Sequence, residues 1–226
     1  LAIHAASGGE QSLAYADAQI RLGSVLTELG EHEAAVAALE DSLAWLRQQP
    51  EAGSAGLVKA LNTLVFDYCY RGDYAPADAM SAEAWSLSQE VLDRRSPEAA
   101  AAAVQRGAVL SNLDRLDEAQ ELYLQGLERY EYLQGLDHPY RATLLNNLGK
   151  IYLAREDYPR AWETYRSADA HYVKAFGDEV STRLLPMLGM AKASAQMGNH
   201  EDALSELLEA GEVSLAVGSP WWTALV

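Results

Sequence analysis

The sequence predicts an all-α fold, a tandem solenoid of antiparallel helix pairs, and three observations carry that expectation. The first is a 42-residue period: Ala35, Ala77, Ala119, Ala161 and Ala203 recur at that spacing, each in a turn followed by a helix. The second is the turn itself. Gly30, Gly72, Asp114, Glu156 and Gly198 stand five residues before the alanines, and His32, Tyr74, Leu116, Tyr158 and His200 stand three before. The third is the recurrence of small residues at two further offsets. Gly23, Val65, Gly107, Gly149 and Ala191 lie twelve before the anchors, and Ser42, Ala84, Gly126, Ala168 and Ala210 lie seven after. Small residues on both helices let two backbones approach, and a glycine after a helix supplies the left-handed turn.

Five repeats follow, over 12–53, 54–95, 96–137, 138–179 and 180–219. The first contains helices over 12–29 and 32–48, parted at Gly30 and closed by the breakers from Pro50 to Gly56. The second, over 55–71 and 74–93, turns at Gly72 and stops before Ser96-Pro97. It is the most irregular, because Ser81 stands where Leu39, Tyr123, Tyr165 and Leu207 fill the gap between hairpins. Helices over 97–113 and 116–134 make the third, ended by Gly135 and Asp137-His138-Pro139. The fourth, 139–155 and 158–176, ends at Gly177-Asp178, and the fifth, 180–197 and 200–216, at Gly218-Ser219-Pro220. Residues 1–8 read as the tail of a preceding repeat and 220–226 as the start of a following one, so a fragment of a longer array is expected. Trp221 and Trp222 would then pack on a missing neighbour or fold back as a cap.

The fourth repeat carries a family resemblance. Gly135-Leu-Asp-His-Pro, then Ala142-Thr-Leu-Leu-Asn-Asn-Leu-Gly-Lys-Ile-Tyr152, then Asp157-Tyr158-Pro-Arg-Ala161 resembles the 42-residue tetratricopeptide repeat of kinesin light chains and bacterial signalling proteins. The third repeat fits worst, with Arg106 at a usual leucine position and Asp114 at the usual glycine. The resemblance spans essentially the whole chain. It implies a right-handed α-α superhelix whose first helices line a concave groove for a peptide or partner segment.

Composition narrows the function. Hydrophobic residues make up 49% and charged residues 22%, enough to bury a core. Seventeen basic against thirty-three acidic residues give a charge of −16, which opposes binding to nucleic acid and anionic membrane surfaces. A single cysteine, Cys69, forms no internal disulfide, and no apolar run is long enough to span a bilayer, so a cytoplasmic setting is expected.

No phosphate loop, HExxH, CxxC or GxSxG occurs, so no catalytic residue, metal site or cofactor is expected. His32 and His200 sit where a ring packs behind the turn, and Cys69 reads as a buried or groove-lining thiol. The acidic pairs Asp117-Glu118 and Glu201-Asp202 suit helix first turns.

The informative polar residues fall on the first helices. Lys59, Asn62, Phe66 and Tyr70, then Gln105, then Thr143, Asn146, Asn147 and Lys150, then Lys192 would face the groove. Three of the four lysines of an acidic chain are among them. The asparagines could hold a peptide backbone, the lysines acidic side chains or a C-terminal carboxylate, and Phe66 and Tyr70 an apolar anchor. The asparagines could equally bond to the adjacent repeat. The basic residues read as unmatched between adjacent repeats, which argues against a chaperone C-terminus. An interaction scaffold holding a partner peptide or helix is the leading expectation. A regulatory sensor module of a bacterial kinase or transcription regulator is the alternative, and uncapped ends leave self-association open.

Overall fold

The computed structural model describes residues 12–49, 54–92, 96–134, 139–178 and 180–218. They form ten α-helices and one short 3-10 turn: α1 Leu13–Glu28, α2 His32–Leu46, α3 Ser54–Arg71, α4 Tyr74–Val91, α5 Pro97–Asn112, α6 Leu116–Gln134, α7 Pro139–Ala154, α8 Tyr158–Phe176, the turn Ser181–Arg183, α9 Leu184–Gln196 and α10 His200–Ala216. No strand occurs among the described residues. The chain divides into two compact units, Leu1–Leu122 and Tyr123–Val226.

One turn is built five times. One or two residues past each first helix stands a residue of positive φ: Gly30 (77°), Gly72 (77°), Asp114 (61°), Glu156 (61°) and Gly198 (81°). The next N–H reaches back to a carbonyl five residues earlier, Glu31 to Leu26 at 2.9 Å, Asp73 to Tyr68 at 2.8 Å, and Arg115 to Leu110, Asp157 to Tyr152 and Asn199 to Ser194 at 2.9 Å each. That bond satisfies a carbonyl the helix end would otherwise leave unpaired, and it requires the left-handed residue. Asp114 and Glu156 adopt the glycine conformation and carry its strain, about 1 kcal/mol each for a side-chain-bearing residue.

Two first helices are capped by a serine oxygen. Ser12 accepts from the Tyr15 N–H at 3.1 Å, and Ser96 from the Ala99 N–H at 3.0 Å ahead of Pro97. The helix expected over 180–197 is shorter, because residues 181–183 form the 3-10 turn and α9 starts at Leu184. Pro186 therefore falls in the first α-helical turn, where its missing N–H costs nothing. Asp117-Glu118 and Glu201-Asp202 do occupy first turns, facing the positive end of the helix dipole.

Within the first unit, Ile20, Leu39, Leu43, Leu46, Leu57, Leu61 and Leu64 form the core. The small-for-bulky pairing sets the α1–α2 spacing: a Cβ on Gly23 would lie 2.6 Å from Leu39 Cγ, closer than carbon atoms can approach. In the second unit, Tyr165 packs with Leu184, Met187 and Met190. Its ring fills the space of two missing Cβ atoms, since one on Gly149 would come within 2.8 Å of it and one on Gly189 within 2.5 Å. Leu207 stays 37% exposed rather than filling a gap.

Polar clamps replace apolar packing at the irregular places. Arg106, mostly buried, donates from Nη1 to the Asp78 carbonyl at 2.9 Å, to the Asp78 carboxylate and to Ser81 Oγ at 3.0 Å. Arg183 is only 6% exposed and pairs in bidentate fashion with Asp169, Nε–Oδ1 2.7 Å and Nη2–Oδ2 3.0 Å, while Nη1 donates to the Asp178 carbonyl at 2.8 Å. Asp169 holds its guanidinium charged; two of the three bonds tie the 3-10 turn to α8 and the third ties it to the segment after that helix.

Candidate peptide-binding site

The ten residues expected to line a groove are distributed over both units. In the first, Lys59 Nζ lies 2.8 Å from Asp17 Oδ1, one repeat earlier in sequence, and is not an isolated cation. Asp17 also pairs with Arg21 at 2.7 Å, and hydrogen bonds from Lys59 and then Arg21 hold its carboxyl below the usual range. Asn62 is buried, reaching the Glu98 carbonyl at 3.5 Å with its Oδ1 unpartnered. Phe66 and Tyr70 are exposed, and Gln105 is half-buried. Tyr70 lies against the His32 ring, the two rings tilted by 40° with centroids 5.5 Å apart.

In the second unit, Lys150 on α7 and Lys192 on α9 line a cleft of about 350 Å³ with Leu153, Glu156, Tyr158 and Gln196. These lysines stand one 42-residue period apart, so the reading that no basic residues match between adjacent repeats is corrected at this pair. The asparagines are not repeated, since Leu188 and Gly189 occupy the positions of Asn146 and Asn147 one period on. Neither lysine forms an ion pair among the described residues, and desolvation lowers the Lys150 pKa although its side chain reaches the surface. Asn146 is buried with Oδ1 unpartnered, Asn147 is half-buried, and Thr143 shares a 3.2 Å hydrogen bond with the Tyr172 hydroxyl.

Several polar features escaped the sequence reading. Asp67 is fully buried, where the matching positions hold Val25, Val109, Ile151 and Ala193. Its Oδ1 accepts from Thr27 Oγ1 at 3.0 Å and lies 2.7 Å from His32 Nδ1, and Arg71 Nε stands 3.3 Å from Oδ2. His32 therefore pairs with a carboxylate as well as packing, and His200, expected to pack, is exposed. A buried carboxylate needs such partners, and the signal available in the sequence was Asp67 itself, a charge at a position that is apolar in the other repeats. Cys69 is half-buried with its pKa pushed up to about 11 by burial. Gln19, at the end of a bond to the Tyr15 hydroxyl of 2.9 Å, is also buried. His4, His138, Trp221 and Trp222 lie outside the described residues. Among the described residues no group of His, Cys, Asp and Glu is placed to hold a metal ion, and no helix is long and apolar enough to cross a membrane.

The recurrent hairpin and its left-handed turn define a class of helical repeat protein, and comparison with known sequences says which. Tetratricopeptide repeat profiles match residues 56–131 and 98–172, and a further one matches 16–45. The chain belongs to the tetratricopeptide repeat family, whose members are in general protein-interaction scaffolds and typically not enzymes. Among solved structures it is similar to BtubC (BKLC) from P. vanneervenii, at 18% identity and TM-score 0.78 over 91% of this chain and 82% of the other. A putative kinesin light chain with nearly identical repeats from Podospora anserina matches at 19% and 0.71, over 88% and 93%. A signal transduction ATPase with a tetratricopeptide repeat sensor from Pyrococcus horikoshii matches at 17% and 0.73, over 90% of this chain and 30% of that one. At such identities the likeness is one of fold. The RxLR effector protein SFI4 of Phytophthora infestans is 27% identical over 106 residues, 47% of this chain and 31% of that protein, so the match spans about a third of the relative's length.

Proposed function

We propose that the protein is an interaction scaffold and that the cleft lined by Lys150 and Lys192 takes an acidic segment of a partner protein. The observation that carries this reading is a pair of ammonium groups, one repeat apart on neighbouring first helices, without a carboxylate partner among the described residues of a chain of charge −16. Leaving a lysine desolvated is unfavourable, and an incoming carboxylate offsets that cost by a charge-assisted hydrogen bond. Gln196 supplies an amide for the peptide backbone, and Tyr158 an apolar wall. Glu156, the one carboxylate on the cleft, disfavours a partner with charge at its own edge. Lys59 is ranked below the other two lysines, since Asp17 already occupies it.

The test is titration of the full chain with a peptide carrying two glutamates, against its glutamine counterpart. Lys150→Gln with Lys192→Gln should lower affinity at least about tenfold while the circular dichroism spectrum is retained. Equal affinity for both peptides, or for wild type and double variant, would reject the acidic-segment reading.

A regulatory sensor module is the second reading, and the tetratricopeptide repeat sensor of the Pyrococcus ATPase supports it by fold. It requires an effector domain joined to these repeats, so the full gene decides: repeats alone would exclude it.

A further inference from the structure

The second unit holds another cleft, unrelated to the lysine pair and of opposite charge. It encloses about 420 Å³ and is lined by Trp162 of α8, Ser194 and Met197 at the end of α9, and Asn199, Asp202 and Glu206 at the start of α10. Glu206 Oε1 accepts the Trp162 indole N–H at 2.6 Å, which fixes the carboxylate, but its Oε2 is buried and has no hydrogen-bond partner. Ser194 is 1% exposed and its hydroxyl makes no hydrogen bond among the described residues, although it borders the cleft. Asp202 is exposed and unpaired. Arg166 covers a face of the Trp162 ring at 4.8 Å but forms no ion pair with either carboxylate.

An acidic residue in the first turn of a helix has a reason of its own, so Asp202 alone signifies nothing. Glu206 and Ser194 have no such reason. Burying a carboxylate oxygen and a hydroxyl without partners is unfavourable in an isolated protein, and groups left in that condition are ones a ligand can satisfy. The needed ligand donates several hydrogen bonds in different directions, carries positive charge and presents a flat face to an indole. A guanidinium meets all three conditions, having five N–H donors in a plane, whereas an ammonium has three donors and no face.

We propose that this cleft is a second binding site and that its ligand is an arginine side chain of a bound protein segment. The guanidinium donates to Glu206 Oε2 and Ser194 Oγ and faces the Trp162 ring, Asp202 adds charge at the mouth, and Met197 lines the path of the aliphatic stem.

The indole N–H resonance of Trp162, assigned by its loss in Trp162→Phe, reports occupancy in the full chain. Titration with acetyl-Gly-Arg-Gly-amide should shift that resonance saturably, the lysine peptide should bind several-fold more weakly, and the citrulline peptide should leave it unmoved. Glu206→Gln keeps an acceptor for Trp162 and should weaken the arginine peptide about tenfold. Asp202→Asn, at the exposed surface, serves as a second variant and should weaken it less, while Glu40→Gln, at an exposed position of α2, should change nothing. Equal shifts from the lysine or citrulline peptide, full affinity in Glu206→Gln, or no shift at saturating peptide would overturn the assignment.

Discussion

Arg106 Nη1 donates to Ser81 Oγ across 3.0 Å, so the two residues that depart most from the repeat pattern are partners. Each departure alone reads as a defect. A leucine is missing from α4 and a charge has entered α5, yet the guanidinium occupies the space that the small serine leaves and also bonds the Asp78 carbonyl. Removing one partner from such a buried network leaves the rest unsatisfied. Arg106→Ala should destabilise by about 1–3 kcal/mol and Ser81→Ala by about 1, with a coupling of at least about 0.5 in the double-mutant cycle measured by urea unfolding. Strict additivity would show that the bond carries no energy.

The spacing of α8 against its neighbours rests on two missing side chains. Gly189→Ala should cost about 1–3 kcal/mol, since its Cβ would fall 2.5 Å from Tyr165 Cζ, and Gly149→Ala should cost a similar amount. Replacing Tyr165 by Leu in the Gly189→Ala background should recover part of the loss. A neutral Gly189→Ala would mean that the ring moves freely, contrary to its burial at 2% exposure.

Glu156 is the complementary case, where glycine is the better residue. Its φ of 61° strains a side-chain-bearing residue, and the three repeats with Gly at this position have no such strain. Glu156→Gly should raise stability by about 1 kcal/mol, read as a higher urea midpoint at unchanged slope. Asp114→Gly should gain less, because aspartate tolerates the left-handed region better than glutamate. A loss on Glu156→Gly would contradict the conformational account of the turn.

Most of the fold was legible because its determinants are local and periodic. The turn residue, the small residue twelve before the anchor and the small residue seven after it all sit at fixed offsets, and the described helix ends lie within four residues of the expected ones. Residues that solve a packing problem between repeats were not legible. Gly189 has no equivalent glycine one period earlier, where Asn147 stands, so its contact with Tyr165 gives no repeated signal. Asp67, His32 and Thr27 are far apart in sequence and become one network only when α1, α2 and α3 pack. The groove residues were readable as a helix face but not by partner: Lys59 and Lys150 look alike in sequence, and only the position of Asp17 separates them.

Cys69 should behave as a packing residue. With its pKa raised to about 11 by burial, the thiol stays protonated at neutral pH, and any stability it contributes is retained below the ordinary thiol range and lost as pH climbs toward 11. Alkylation by iodoacetamide at pH 7 should run far slower than for an exposed peptide thiol, and speed up as pH rises. Reaction at the peptide rate would place Cys69 outside the core.

Lys150 gives the most direct access to the function. Desolvation lowers its pKa in the free protein, so an acidic segment bound in the cleft must raise it again, and affinity for that segment must fall as pH climbs through it. The decisive measurement is the pH titration of the Lys150 side chain by carbon-detected NMR of its Cε, with and without the diglutamate peptide. The Lys150 pKa should lie below the ordinary lysine range in the free protein and shift clearly upward in the complex. A peptide that binds while the Lys150 titration stays where it was would contradict it.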